Sequence, residues 1–213
     1  MVTFDQLLNL MQGLSPTIIL LMVAGSLALV ILTPRGSAYL VALPVLYLAL
    51  AAFDLKTLYA PVSLMRVAVG VTTSLSLAVT AWQRQRKQRR EELADVAYEH
   101  EGVLFRLLVL ILAGSLTYGL WQGEYFPVPE HLTLTFYALV VVGALLILSS
   151  ADLMRKGLGL IILLGGFESL YLALEPGLLV ITLISVVDIL LVVAIAYLAA
   201  VWTKDEPQEE SEL

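Results

Sequence analysis

Residues 165–190 read GGFESLYLALEPGLLVITLISVVDIL, two apolar runs separated by the short segment Glu175-Pro176-Gly177. Proline and glycine interrupt helices and form turns, so the pattern predicts two helices joined by a tight turn. Each run nevertheless contains one carboxylate, Glu168 in the first and Asp188 in the second. An acidic residue inside an apolar helix is rare and costly, and it therefore marks a candidate functional position.

The composition of the chain is typical of a membrane protein. Apolar residues make up 60% of its 213 residues, charged residues only 14%, and the mean hydropathy is +0.91. Soluble domains usually carry about 25% charged residues. The sequence therefore predicts an all-α integral membrane protein. It contains no cysteine, which excludes disulfides, thiolate nucleophiles, cysteine-ligated zinc and iron–sulfur clusters in this chain.

About seven segments have the length and hydropathy of membrane spans, because a hydrocarbon core about 30 Å thick needs roughly 20 apolar residues in a helix. The basic run RQRKQRR at 84–90 is expected in the cytoplasm, where Lys and Arg concentrate. Alternation from that run predicts an outside N-terminus and a cytoplasmic C-terminus in the cytoplasmic (inner) membrane, with about nine basic residues inside and one, Lys56, outside. The predicted spans of this multi-pass protein are 16–33, 37–53, 58–82, 103–121, 131–149, 157–174 and 178–202.

The spans and the charged segments divide the chain into five regions. Lys87 and Glu91 lie four residues apart, which favours continuation of the third helix beyond the membrane. The last span pair contains Gly157, Gly159, Gly165 and Gly166, whose small size would let a neighbouring helix approach closely. The regions are three spans at 1–82, a charged cytoplasmic loop at 83–102, spans four and five at 103–149, a helix pair at 150–203 and an acidic cytoplasmic tail at 204–213.

The distances of Glu168 and Asp188 from the turn predict their relative depth. At 1.5 Å per residue, Glu168 lies about 12 Å and Asp188 about 18 Å from Pro176. Packed helices are about 8–10 Å apart, so we expect a water or another polar side chain between the two carboxylates. This arrangement favours two positions of a proton relay over a catalytic pair or a metal site. The structural alternative is that each carboxylate only holds helices together, through neighbours such as Ser169.

Two further charged features have two interpretations each. Arg66 in the third span is either a charge partner of Glu168 or Asp188, or it extends outward to the membrane surface. The basic run 84–90 is either an ordinary positive-inside loop or a docking surface for a cytoplasmic partner or anionic lipid.

The sequence offers no motif for a cofactor. His100 and His131 fall on opposite sides of the predicted membrane, which excludes a haem held by both. The chain has no phosphate-binding loop, dinucleotide fingerprint or metalloprotease motif. We therefore expect no catalytic residue, cofactor, metal site or nucleic-acid partner in this chain.

Residues 150–203 carry a resemblance to a known family. The segment SADLMRKGLGLIILLGGFESLYLAL, followed by VVDILLVVAIAYLAAVW, resembles subunit K of complex I and is more similar to component E of hydrogenase-4. Glu168 matches the first intramembrane carboxylate of these proteins and Asp188 the second. Subunit K has glutamate at the second position, whereas component E has aspartate as here. The loop at 175–177 is shorter than in either relative, and spans one to four match only in length and hydrophobicity.

The resemblance implies a membrane subunit without a redox centre and not catalytic by itself. It would supply buried carboxylates to a proton, or alternatively sodium, path in a complex I-like or group 4 hydrogenase-like assembly. Its partners would be other membrane subunits, including antiporter-like ones. One alternative is a subunit of a multi-component cation/proton antiporter without a redox arm. A stand-alone solute transporter is disfavoured because the two halves show no visible repeat.

Overall fold

The computed structural model describes most of the chain, and the part that it describes is helical. This confirms the all-α prediction. Residues 1–12, His100 and the acidic tail at 204–213 lie outside the described residues. The described residues are 13–33, 39–57, 60–91, 103–123, 127–150, 152–175 and 177–202.

Seven α-helices occur among the described residues, and all but the third, which ends nine residues beyond its predicted span, lie within about four residues of a span predicted from hydropathy. Several begin where the sequence supplies a cap. The Ser15 hydroxyl accepts a hydrogen bond from the Ile18 amide at 3.3 Å, and the Asp152 carboxylate accepts one from the Met154 amide at 3.3 Å. The helices are α1 (Pro16–Leu32), α2 (Tyr39–Thr57), α3 (Ala60–Glu91), α4 (Val103–Trp121), α5 (Glu130–Ser149), α6 (Leu153–Leu174) and α7 (Leu178–Trp202).

Four of the described helices, α4 to α7, are long and apolar enough to cross a membrane. Helix α1 is shorter, and α3 has a shorter apolar part at Ser63–Leu77. Helix α3 continues without a break to Glu91 over 32 residues, about 48 Å at 1.5 Å per residue. The span count of seven and the orientation stay predictions. So does docking at 84–90, because the side chains of that run lie outside the described part.

Glycine contacts bring α5 and α6 together. A Cβ at Gly143 would lie 2.6 Å from the Gly159 carbonyl oxygen, and a Cβ at Gly159 would lie 2.7 Å from the Gly143 oxygen. Both distances are too short for real side chains, so the backbones touch only because both residues are glycine. Gly157 lies against the Ile195 side chain of α7, whereas a Cβ at Gly165 would meet nothing within 4 Å. The glycine-rich part of α6 therefore sets how closely its neighbours approach.

The helices that carry the candidate residues are direct neighbours. Helix α2 packs against α1 and α3, and α3 packs against α7. Helix α6 packs against α5 and α7 and also contacts α2. As a result, α2, α3, α6 and α7 surround one interior region. Arg66, Glu168 and Asp188 are all buried in it, at 3%, 6% and 4% exposure.

Candidate charge cluster between four helices

Arg66 of α3 lies at the centre of a buried group of charges. Its Nη1 is 2.9 Å from Oδ2 of Asp54 on α2 and donates a hydrogen bond to Oδ1 at 3.1 Å. Its Nη2 is 3.0 Å from Oε2 of Glu168 on α6. The guanidinium thus bridges two carboxylates on different helices. Between the two interpretations of Arg66, the structure places it in an ion pair with Glu168 and does not extend it outward.

Ser169 completes the contacts of Arg66 on α6. Its hydroxyl accepts a hydrogen bond from Arg66 Nη1 at 3.2 Å and donates one to the Gly165 carbonyl at 2.8 Å. One turn away on α3, the Ser63 hydroxyl donates to the Ala51 carbonyl of α2 at 2.7 Å. These hydrogen bonds orient α2, α3 and α6 around the guanidinium, because each hydroxyl has a defined partner.

Asp188 of α7 lies beside this group without a direct partner. Among the described residues it makes no hydrogen bond and no ion pair. Glu168 and Arg66 are within electrostatic range of it, and so is the buried hydroxyl of Tyr47 on α2. The structure therefore brings Glu168 and Asp188 into one region but not into contact. We call Asp54, Arg66, Glu168 and Asp188 the charge cluster.

The charge cluster carries an excess of negative charge. It contains three carboxylates and one guanidinium, so its net charge is −2 when every group is ionised (−3 + 1). An unpaired charge away from water is costly, and the cluster therefore favours uptake of a proton or another cation. Within the described part of the chain, no three His, Cys, Asp or Glu side chains are grouped to hold a metal ion.

The cluster residues lie at increasing depth from one end of the bundle. Asp54 is three residues before the end of α2, about 4.5 Å, and Arg66 is six residues after the start of α3, about 9 Å. Glu168 is likewise about 9 Å before the end of α6. Asp188 and Tyr47 are each ten residues from their helix ends, about 15 Å. Acidic groups thus extend from near the end of the bundle towards its middle.

Polar atoms without partners accompany the cluster along α3. Arg66 Nε and the Ser74 hydroxyl are buried and have no hydrogen-bond partner among the described residues. Ser74 is eight residues beyond Arg66 on the same helix, about 12 Å deeper. Buried polar atoms normally have partners, so these positions are suited to bound water.

Glu168 and Asp188 also line a groove between α6 and α7. The groove has a volume of about 370 Å³, within the range of ligand pockets. Apolar side chains form the rest of its wall, and several of them are half-exposed on the outer face of the helix pair. We call it the α6–α7 groove. Its lining residues are Leu164, Phe167, Glu168, Leu170, Tyr171, Leu174, Leu183, Ile184, Val187 and Asp188.

Sequence reasoning missed Asp54. The predicted span 37–53 stops one residue before it, because Asp54 and Lys56 end the apolar run, whereas α2 continues to Thr57. One signal could have found it. Asp54 and Arg66 are twelve residues apart across the connection between two helices, so both lie near the same end of that helix pair and carry opposite charges. Tyr47 carried no such signal, since a tyrosine in an apolar helix is common at buried positions.

His131 and Arg106 lie away from the cluster's centre. His131 is in the first turn of α5 and stacks on Phe53 with ring centroids 5.4 Å apart. Arg106 in the first turn of α4 donates to the Leu32 carbonyl at the end of α1, at 3.5 Å. A cation there interacts favourably with the negative end of α1.

The chain matches no protein-family model, no curated protein and no solved structure. The fold and the site define its class at a coarse level: an all-helical protein with membrane-length helices around a buried, predominantly acidic charge cluster. The particular function therefore has to be inferred from this cluster.

Proposed function

We propose that the protein is a non-redox membrane subunit that contributes Glu168 and Asp188 to a proton, or alternatively sodium, translocation path. The assembly would be complex I-like or group 4 hydrogenase-like. The observation that carries the proposal is the buried net negative cluster at the junction of α2, α3, α6 and α7. The resemblance of residues 150–203 supports the proposal, because Glu168 and Asp188 match the two intramembrane carboxylates of subunit K and component E.

The geometry suggests an order of events along the cluster. Asp54 lies nearest the end of the bundle, and Arg66 joins it to Glu168. A proton that reaches Glu168 removes the charge that attracts Arg66, and the guanidinium then pairs with Asp54 alone. Glu168 is free to pass the proton towards Asp188, through water or past the Tyr47 hydroxyl. Each proton transfer at Glu168 thus changes which carboxylate pairs with the guanidinium of Arg66.

The proposal places the chain in the cytoplasmic membrane as one subunit among others. Antiporter-like membrane subunits would complete the path, and a peripheral redox arm would drive it. The chain itself would hold no cofactor and would not be an enzyme alone. Neighbouring subunits that co-purify with it test this part: nickel–iron or flavin proteins support a redox assembly, and antiporter-like proteins alone contradict the redox arm.

A structural role is the second candidate, and one observation favours it. Arg66 ties α2, α3 and α6 together through Asp54, Glu168 and Ser169. In this interpretation the ion-pair network serves solely to hold the three helices together. It does not account for Asp188, which makes no hydrogen bond or ion pair within the described residues. The two candidates therefore differ most in what they predict for Asp188.

Replacing the two carboxylates separates the candidates. We expect Glu168→Gln with Asp188→Asn to slow ion movement by at least about 100-fold, the lower range for loss of a positioned proton-transfer group. The chain and its co-purifying membrane subunits would be reconstituted into liposomes with a trapped pH dye, and in parallel with a sodium dye. Asp188→Asn alone should slow ion movement without lowering the unfolding temperature.

Glu175→Gln is the matched control, since Glu175 is an exposed carboxylate at the end of α6. It should move ions at the wild-type rate. Normal ion movement by the double variant would end the relay hypothesis. Failure of the double variant to assemble, with normal ion movement by Asp188→Asn, would favour the structural role.

A further inference from the structure

The α6–α7 groove has a shape that would accommodate a further helix. Its α6 wall runs from Leu164 to Leu174, ten residues or about 15 Å along the axis. The lining residues of α6 recur every three or four positions, so they form one continuous stripe. The facing wall is α7 between Leu183 and Asp188. A channel of this form between two packed helices accepts a ridge of side chains from a third.

Exposed apolar side chains form the rim of the groove. Phe167 is 50% and Leu183 61% exposed, and Tyr171 and Val187 are also exposed. An apolar rim alone would suit lipid tails equally well. The floor is different, because Glu168 and Asp188 lie there and lipid tails offer nothing to a carboxylate. The groove therefore combines an apolar rim with an acidic floor near the middle of the helices.

The charge of the floor indicates the chemistry of the occupant. Arg66 is already bound by Asp54 and Glu168, which leaves Asp188 without a paired cation among the described residues. Ionisable residues inside a membrane face the bundle interior or a water-filled cavity and pair with one another or with backbone carbonyls. Asp188 lies about 15 Å from the start of α7, half the thickness of a hydrocarbon core. The complementary cation must therefore reach the middle of the bilayer.

A second copy of this chain does not supply that cation from its described residues. Arg66 is buried within its own cluster, and Arg106 lies in the first turn of α4. Lys56, Arg155 and Lys156 are within four residues of a helix end. A different chain with a basic residue near the centre of a span has the required charge at the required depth.

We propose that the α6–α7 groove receives a transmembrane helix of a partner subunit whose central Lys or Arg pairs with Asp188. The apolar ridge of that helix packs between Phe167 and Leu183, and its cation reaches the floor beside Glu168. The partner's cation would also lower the excess negative charge of the cluster from −2 to −1. This inference deepens the proposed function and rests on it, since the same two carboxylates serve both.

Designed peptides test the pairing without knowledge of the natural partner. Three transmembrane Leu/Ala peptides differ only in a central Lys, Leu or Glu and carry an acceptor dye. The chain has no native cysteine, so Gln122→Cys at the exposed end of α4 provides one donor site. Energy transfer in liposomes then gives the affinity of each peptide. We expect the Lys peptide to bind about tenfold more tightly than the Leu peptide, and the Glu peptide to bind most weakly.

Variants of the groove locate the binding. Asp188→Asn should remove the preference for the Lys peptide over the Leu peptide, because the neutral amide no longer pairs with the Lys ammonium. Leu183→Trp should fill the groove and weaken binding of the Lys peptide. Leu190→Trp is the matched control, because Leu190 is on the same helix with nearly the same exposure, 62%, but does not line the groove. Circular dichroism confirms that each variant is folded.

Several results would overturn the inference. Equal binding of the Lys and Leu peptides would reject the pairing of the partner's cation with Asp188, and no binding of any peptide would leave lipid as the occupant of the groove. A Lys preference that survives Asp188→Asn or is unaffected by Leu183→Trp would place the pairing elsewhere. The peptide assay involves no ion movement, so its failure is separable from failure of the liposome assay. Discrimination between peptides together with normal ion movement in Glu168→Gln/Asp188→Asn would reject only the relay.

Discussion

Arg66 organises the site because it meets two carboxylates and a hydroxyl where its side chain is buried away from bulk solvent. Its Nη1 and Nη2 lie 2.9 and 3.0 Å from Asp54 and Glu168, and its side chain is almost fully buried. A buried ion pair gains little over apolar packing, but removal of one partner leaves the other uncompensated. The cluster is therefore more sensitive to loss of the single cation than to loss of any one of its three acids.

We expect Arg66→Met to lower the free energy of unfolding by about 3–5 kcal/mol, the cost of leaving buried charges unpaired. Thermal unfolding in detergent measures this as a lower unfolding temperature. Adding Asp54→Asn and Glu168→Gln should recover part of the loss, since the amides carry no charge. Arg106→Met is the control. Its guanidinium makes one long backbone contact at 3.5 Å, and the change should stay within about 0.5 kcal/mol. Equal effects of Arg66→Met and Arg106→Met would contradict a stabilising role for the ion pairs.

At the scale of single elements, the two halves of α6 have different roles: the first half packs closely against its neighbours, and the second half contacts Arg66. Its first half carries Gly159, which lets the backbones of α5 and α6 touch, and Gly157, which lies against the Ile195 side chain of α7. Its second half carries Glu168 and Ser169, which meet Arg66. The close packing of the first half positions the polar second half, because a helix is rigid over this length. The glycines and the carboxylate therefore belong to one arrangement.

Gly159→Ala should loosen the contact between α5 and α6. Its Cβ would meet the Gly143 carbonyl oxygen at 2.7 Å, and a backbone atom cannot turn aside as a side chain can. We expect a loss of about 1–3 kcal/mol in the free energy of unfolding, the usual cost of overpacking. Gly165→Ala on the same helix is the control. Nothing lies within 4 Å of its Cβ, so the change should be neutral or stabilising. Equal losses in the two variants would show that the Gly143–Gly159 contact does not govern the packing.

For the whole molecule, the seven described helices are compatible with seven spans, but helix number alone does not decide how many cross the membrane. Helices α4 to α7 meet the length and hydropathy of a span, whereas α1 is shorter and α3 is apolar in only part of its length. An odd number of spans places the two termini on opposite sides of the membrane, and an even number places them on the same side. The count and the orientation are therefore measurable together.

Cysteine accessibility checks the predicted topology, and the lack of native cysteines makes it straightforward. Single cysteines would replace Thr3, Ala94, Gly123 and Ser211 in separate variants. An impermeant thiol reagent applied to intact cells should label positions 3 and 123 and spare 94 and 211 until the membrane is opened. This outcome follows if basic residues 84–90 stay in the cytoplasm. Labelling of positions 3 and 211 together in intact cells would exclude an odd number of spans.

The helices and their approximate bounds follow from the sequence alone, because the length of an apolar run and its polar ends are local properties. The two carboxylates in apolar runs are equally visible there. The pairing of charges is not local. Arg66 meets Glu168 and Ser169 about a hundred residues away along the chain, and such contacts depend on how closely α5 and α7 pack against the glycines of α6. Hydropathy also placed Asp54 outside its span, since a charge lowers the score of the segment that contains it. Only the three-dimensional packing shows that Asp54 pairs with Arg66 and that Asp188, at the floor of a groove, has no ion pair within the described part of the chain.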